Sequence, residues 1–177
     1  MAAPRGAQLL IDNLEDSLIR GKARWVADLN EFFRGYRIKD TEFDLYARGR
    51  TRNRGFFLSR FFAWTALPDY SVSLFCAYES SGAHLTVEKL RRRMEAVSHT
   101  IREDELKWAW LIVLSNRELS PEVVSFVSRY DRNELGLGVA STKSQQMVFS
   151  NNQIGRSIGK HLSLRKLLGG LDLGEND

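Results

Sequence analysis

Three pieces decide the fold: YSVSLFCAY at Tyr70–Tyr78, TVEKLRRRMEAVSH at Thr86–His99 and WAWLIVL at Trp108–Leu114. The first, from Ser71 on, is rich in apolar and aromatic residues and tends to alternate, which predicts a strand. In the second, Val87, Leu90, Met94 and Val97, followed by Ile101, recur at steps of three and four residues. That is the spacing of one buried helical stripe. The third is a continuous apolar run, too short to cross a bilayer and the right length for a strand covered on both faces. Strand, helix and fully buried strand predict a βαβ unit with parallel strands and a right-handed crossover.

Outward from this unit, Leu10, Leu14 and Leu18 fall at helical spacing, continued by Trp25 or Val26, Leu29 and Phe33. This reads as helix as far as Gly35, a C-cap, with Gly21 as an interruption costing ~1 kcal/mol relative to Ala. Glu42–Ala47 alternates as a strand, Arg48–Gly55 is a turn-rich basic loop, and Phe56–Ala66 reads as an aromatic strand before the Pro68-Asp69 turn. Ser120-Pro121-Glu122 is a helix start: a capping hydroxyl, Pro in the first turn and an acid at the positive end of the dipole. That helix turns Val123, Val127 and Tyr130 inward. Leu135–Ser141 and Gln146–Phe149 read as strands, and Asn151-Asn152 opens a last helix carrying Ile154, Ile158 and Leu162. The order α-β-β-β-α-β-α-β-β-α predicts a single α/β domain over residues 1–168, a mixed sheet flanked by helices, with a polar tail at 169–177.

A chain of 177 residues fits one domain. Its net charge of +4 and pI near 9.4 come mostly from Arg. Guanidinium pairs bidentately with phosphate and stacks on bases, so this balance suits a nucleic-acid partner, although a thermophile-like composition or simple solubility would also produce it. Cys76 is the single cysteine and sits among apolar residues, a small buried hydrophobe with no disulfide partner. Asp12, Glu15 and Asp16 interrupt the N-terminal leucines, which excludes a secretory apolar region, and no membrane span is expected. The expected location is cytoplasmic.

A helix, three strands, a helix opening Thr86-Val-Glu-Lys-Leu90 and a fully apolar strand together resemble the core of the restriction-endonuclease-like superfamily, over about Leu10–Leu114. The resemblance rests on the order of elements. It implies an αβββαβ core and, in active members, a PD-(D/E)xK motif whose carboxylates hold Mg²⁺ while the Lys positions the attacking water. Here the strand that would carry the tripeptide reads Cys76-Ala77-Tyr78, with neither ligand nor Lys. Pro68-Asp69 is a literal PD before the wrong strand. Displaced acids Asp44, Asp69 and Glu79 are the substitutes that an active site would need.

Arg48, Arg50, Arg52 and Arg54 alternate between Gly49 and Gly55, so extended backbone would set all four guanidinium groups on one side. Phe56, Phe57, Phe61, Phe62 and Trp64 follow, with Arg60 among them. Arginines for phosphates and rings for unstacked bases are what single-strand binding requires. The plainer reading is core aromatics behind a solvated basic tip, yet two adjacent Phe pairs cannot all face one side of a strand. Arg54-Gly55-Phe56-Phe57 echoes an RNA-recognition octamer in the wrong element order. Arg91-Arg92-Arg93 lies on the crossover helix as a solvated face unless it extends the Arg48–Arg54 surface.

Gly155-Arg-Ser-Ile-Gly-Lys160 misses a phosphate loop, which needs a wider glycine spacing and Ser or Thr where His161 stands. It reads as a helix with small residues for close packing, whose Arg156, Lys160, Arg165 and Lys166 form a basic face. His84, His99 and His161 are scattered and lack metal-ligand spacing. These observations favour a non-catalytic nucleic-acid-binding protein on a nuclease-like fold, for single-stranded or branched DNA. Its contacts would be Arg48, Arg50, Arg52, Arg54, Phe56, Phe57, Arg60, Trp64, Arg91 and Arg92. No cofactor is expected. The alternatives are an active Mg²⁺-dependent nuclease using Asp44, Asp69 and Glu79, and a structural or regulatory subunit that pairs with itself or docks a protein.

Overall fold

The computed structural model describes residues 5–23, 26–51, 70–79, 84–162 and 164–169. Its elements are α1 (Arg5–Ile19), β1 (Asp28–Ile38), β2 (Thr41–Arg50), β3 (Ser71–Glu79), α2 (Val87–Glu103), β4 (Trp108–Ser115), α3 (Pro121–Arg129), β5 (Leu135–Ser141), β6 (Met147–Phe149), α4 (Gln153–His161) and α5 (Leu164–Gly169). The strands lie in chain order in one mixed six-stranded sheet. β1, β2 and β3 form an antiparallel meander, β3, β4 and β5 run parallel, and β6 turns back.

The βαβ unit forms as its periodicity predicts. β3 and β4 pair in parallel from Val72 opposite Trp108 to Glu79 opposite Ser115. Both strands are apolar on both faces because both faces are covered. Leu10, Ile11, Leu14 and Leu18 of α1, Ile158 of α4 and Leu162 at its C-cap join Leu74, Cys76, Trp110 and Ile112 in one core layer. Leu90, Val97 and Ile101 of α2 and Val123 and Val127 of α3 join Phe75, Ala77, Leu111 and Val113 in the other. The caps agree with the sequence: Thr86 accepts from Lys89 N, Ser120 from Val123 N with Pro121 behind it, and Asn152 from Gly155 N.

The first half of the meander differs from its sequence reading. Helix α1 stops at Ile19, because Gly21 (φ 78°) closes it: Gly21 N donates to Leu18 O and Lys22 N to Ser17 O. These two bonds make a Schellman end, the conformation that glycine favours. Asp28–Ile38, expected as helix as far as Gly35, is instead β1, the edge strand. Phe32, Phe33 and Tyr36 are good strand formers. Pairing with β2 sets Tyr36 against Tyr46, with ring centroids 4.3 Å apart, and Tyr46 against Phe75 at 4.7 Å. Gly35 (φ 60°) therefore sits inside a strand. Among the described residues, the three strands before α2 are thus β1, β2 and β3. The expected strand Phe56–Ala66 lies outside the described residues.

At Gly35 and Asp44 the hairpin also switches faces. Leu45 and Ala47 belong to the α1 layer, whereas Phe43 belongs with Phe75 in the α2 layer. The β2–β3 ladder ends at Leu45 opposite Cys76, so Asp44 is the point where β2 leaves its neighbour. No helix among the described residues is long and apolar enough to cross a membrane.

Candidate functional site

At the end of β3, where β2 departs, the next backbone donor has lost its strand partner. Asp44 replaces it: Tyr78 N donates to the Asp44 carboxylate at 2.7 Å. Burial raises the Asp44 carboxyl above the ordinary aspartate value, against this hydrogen bond, which lowers it. One residue on, Glu79 takes Lys89 Nζ at 2.5 Å and Arg93 at 2.8 Å, both from α2. Burial alone would raise Glu79, but the hydrogen bonds and charges of Lys89 and Arg93 carry it below the ordinary glutamate range. The structure therefore brings two of the three acids to one strand end, Asp44 beside Tyr78 and Glu79 next in the chain. Asp69 lies outside the described residues. A divalent cation does not fit this arrangement, because Glu79 already holds two cations and Asp44 stands in for a strand carbonyl.

The opposite end of β2 is basic. Arg48 and Arg50 are alternate residues of the strand and both are exposed, leaving the sheet on the side of Tyr46 and α2. They belong to β2 rather than to a loop. Asp28 stands opposite Arg50 and Glu31 opposite Arg48 across the ladder, as local counter-charges. Arg50 also pairs with Ser71, whose carbonyl accepts from Lys107 N, so the approach to β4 is adjacent. Thr51 N donates to Tyr70 O, and Lys107 Nζ lies 5.0 Å from the centre of the Tyr70 ring. Arg52, Arg54, Phe56, Phe57, Arg60 and Trp64 lie outside the described residues.

Helix α4 adds a second basic face at this same end, and its position is tightly specified. Trp110 is fully buried, yet its Nε1 donates to Ile154 O at 3.1 Å and Ser157 Oγ at 2.9 Å. Asn152, 2% exposed, donates to Arg132 O and Leu135 O while its oxygen accepts from Gly155 N. Gly155 lies where any side chain would collide with Ser150, and Gly159 lies under the Phe149 ring. The glycines of the Gly155–Lys160 segment are thus packing residues, as the sequence suggests. With its inner face fixed, α4 turns Arg156 and Lys160 outward, one helical turn apart.

Between α4 and the start of β4 lies a groove of about 630 Å³, lined by Thr51, Trp108, Asn133, Gln153, Arg156 and Lys160, among others. His161 also lines it; burial, then repulsion from Lys160, lowers its pKa below the ordinary histidine value. Trp108 is partly exposed and its ring lies 4.8 Å from that of buried Trp110. Sequence reading places Trp108 in the buried strand and misses this role. The missing signal is three-dimensional, since only the pairing of β4 with β3 puts Trp108 near Thr51.

The three arginines of α2 go different ways. Arg91 sits 5.3 Å from the Phe126 ring centre, Arg92 lines a cleft with Thr41 and Glu95, and Arg93 turns in to Glu79. Thr41 is the far end of β2 from Arg50, so Arg92 lies away from the Arg48–Arg50 surface, and Arg91 lies towards Phe126 of α3.

No family model matches the chain, and none of the curated proteins matches it. Among solved structures the chain is similar to the DNA modification-dependent restriction endonuclease AspBHI. The two are 15% identical, with a TM-score of 0.39, over 97% of this chain and 40% of that chain. The chain thus spans less than half the length of that structure.

Proposed function

We propose that this chain binds nucleic acid, single-stranded or branched DNA, without cleaving it, on a restriction-endonuclease-like fold. The observation that carries the reading is the gathering of Arg48, Arg50, Lys107, Arg156 and Lys160 from β2, the approach to β4, and α4 at one end of the sheet. Cations from separate elements around one edge are what a phosphate backbone requires, and they hold it without a reactive group. Arg52 and Arg54 continue the Arg48–Arg50 alternation and belong to the same surface on this reading, with Phe56, Phe57, Arg60 and Trp64 as stacking partners. The alternative of an active Mg²⁺-dependent nuclease is opposed by Lys89 and Arg93, which already occupy the Glu79 carboxylate.

The test is binding of a labelled single-stranded oligonucleotide across a salt series with Mg²⁺ present, followed by sizing of the product. The expected result is intact product and an affinity that falls steeply with salt. The logarithmic slope should be about −0.7 per phosphate contacted, and smaller in magnitude in an Arg48→Ala/Arg50→Ala variant. Shortened product that disappears in Glu79→Gln would replace this reading with the nuclease. Absence of binding at low salt would reject both and leave a protein-docking subunit.

A further inference from the structure

We infer that the groove beside α4 holds one unstacked nucleotide of a bound single strand, its base against Trp108 and its phosphate between Arg156 and Lys160. This rests on the nucleic-acid reading above and specifies how the strand is held. The first support is composition. Among the described residues that line this groove, the charged groups are Arg156 and Lys160, His161 is the remaining titratable one, and no carboxylate is present. The clefts along α2 and α3 also carry arginines, but Glu95, Glu122, Asp131 and Glu134 line them and would repel phosphate.

The second support is shape. About 630 Å³ falls in the range of small-ligand sites. One wall is an indole whose neighbour Trp110 is locked by two hydrogen bonds, so the platform is held from below. Asn133 and Gln153 line the same space, and their amides offer donors and acceptors to a base edge. Thr51 brings the groove to the foot of β2, where Arg48 and Arg50 leave the sheet on its other side. A strand crossing this end would meet both surfaces.

The experiment uses the full chain, a short oligodeoxythymidylate, thymidine 5′-monophosphate and inorganic phosphate. Arg156 and Lys160 are exposed, so Arg156→Ala/Lys160→Ala leaves the packing intact and should reduce the salt slope by about 0.7, one single-strand phosphate. Trp108→Leu should weaken the oligonucleotide about 5- to 150-fold, the range for one stacked base, with the salt slope unchanged. Thermal unfolding confirms that each variant is folded. The monophosphate should bind more tightly than phosphate, and equal affinities would reduce the site to an anion contact and overturn the inference. Salt-sensitive oligonucleotide binding that neither variant alters would overturn the groove while sparing the nucleic-acid reading. No binding by the unmodified chain would remove both.

Discussion

Asn152 joins four groups. Its amide nitrogen donates to Arg132 O at 2.6 Å and Leu135 O at 2.8 Å, and its oxygen accepts from Gly155 N at 2.6 Å and Ser150 Oγ at 3.2 Å. Asn152→Ala removes a helix cap worth ~1 kcal/mol and leaves buried partners unpaired at ~1–3 kcal/mol. Urea unfolding should show a loss of about 2–4 kcal/mol, and a loss below about 1 kcal/mol would mean that water repairs the gap. Asp44 and Glu79 make a pair of opposite sign. Glu79 has a lowered folded pKa, so its contribution is complete at neutral pH and is lost as pH falls from about 4.3 through the folded value. Asp44 has a raised folded pKa, so the fold gains from its protonation as pH falls. Glu79→Gln should therefore destabilise at pH 7 and flatten the acid limb of stability. Asp44→Asn keeps an acceptor for Tyr78 N without the buried charge and should be neutral or stabilising at pH 7. Urea midpoints from neutral to acid pH check both, and a destabilised Asp44→Asn would mean that the charge itself is needed.

At the scale of elements, β1 and β2 show where sequence reading succeeds and where it stops. The crossover α2 was legible because its stripe of Leu90, Val97 and Ile101 meets one covered face over many turns. Leu29 and Phe33 also fit helical spacing, but that short span fits a strand as well, and pairing with β2 decides it. Gly35 was visible as a breaker, though its place within a strand was not. Thr51 and Trp108 could not be joined on paper, because their proximity depends on three strands finding register. Gly49 belongs to that register. Leu29 pairs with Gly49 and Glu31 with Arg48, a bulge that drives the Asp28 carbonyl against Gly49. Gly49→Ala has no room there and should cost ~1–3 kcal/mol as overpacking. Gly6→Ala in α1, with open space around the new methyl, should be neutral or stabilising by up to ~1 kcal/mol. Chemical denaturation of the two variants, side by side, separates a packing constraint from a general cost of removing glycine.

Considered as a whole, the molecule has an acidic-site end whose Glu79 is held by two cations and a basic end whose α4 groove has no carboxylate among its described lining residues. Where β3 ends, Glu79 is answered by Lys89 and Arg93; where β2 ends, Asp28 and Glu31 stand across from Arg50 and Arg48, while Lys107, Arg156 and Lys160 are exposed. His161 tunes the basic end. Burial and Lys160 lower its pKa below the ordinary histidine value, and the charged groups that line the groove with it are Arg156 and Lys160 of the same helix. A phosphate entering the groove favours the imidazolium, so binding should take up a proton. The sign follows: the free protein has the lower histidine pKa and the complex the higher, so affinity rises as pH falls from about 7 towards 5. His161→Gln should flatten that rise while leaving the salt slope at pH 7 unchanged, since the neutral ring contributes no charge there. Oligonucleotide affinity measured at fixed ionic strength over this range decides it. A rise that persists in His161→Gln would assign the proton elsewhere, and a flat profile in the unmodified chain would move the phosphate away from this ring.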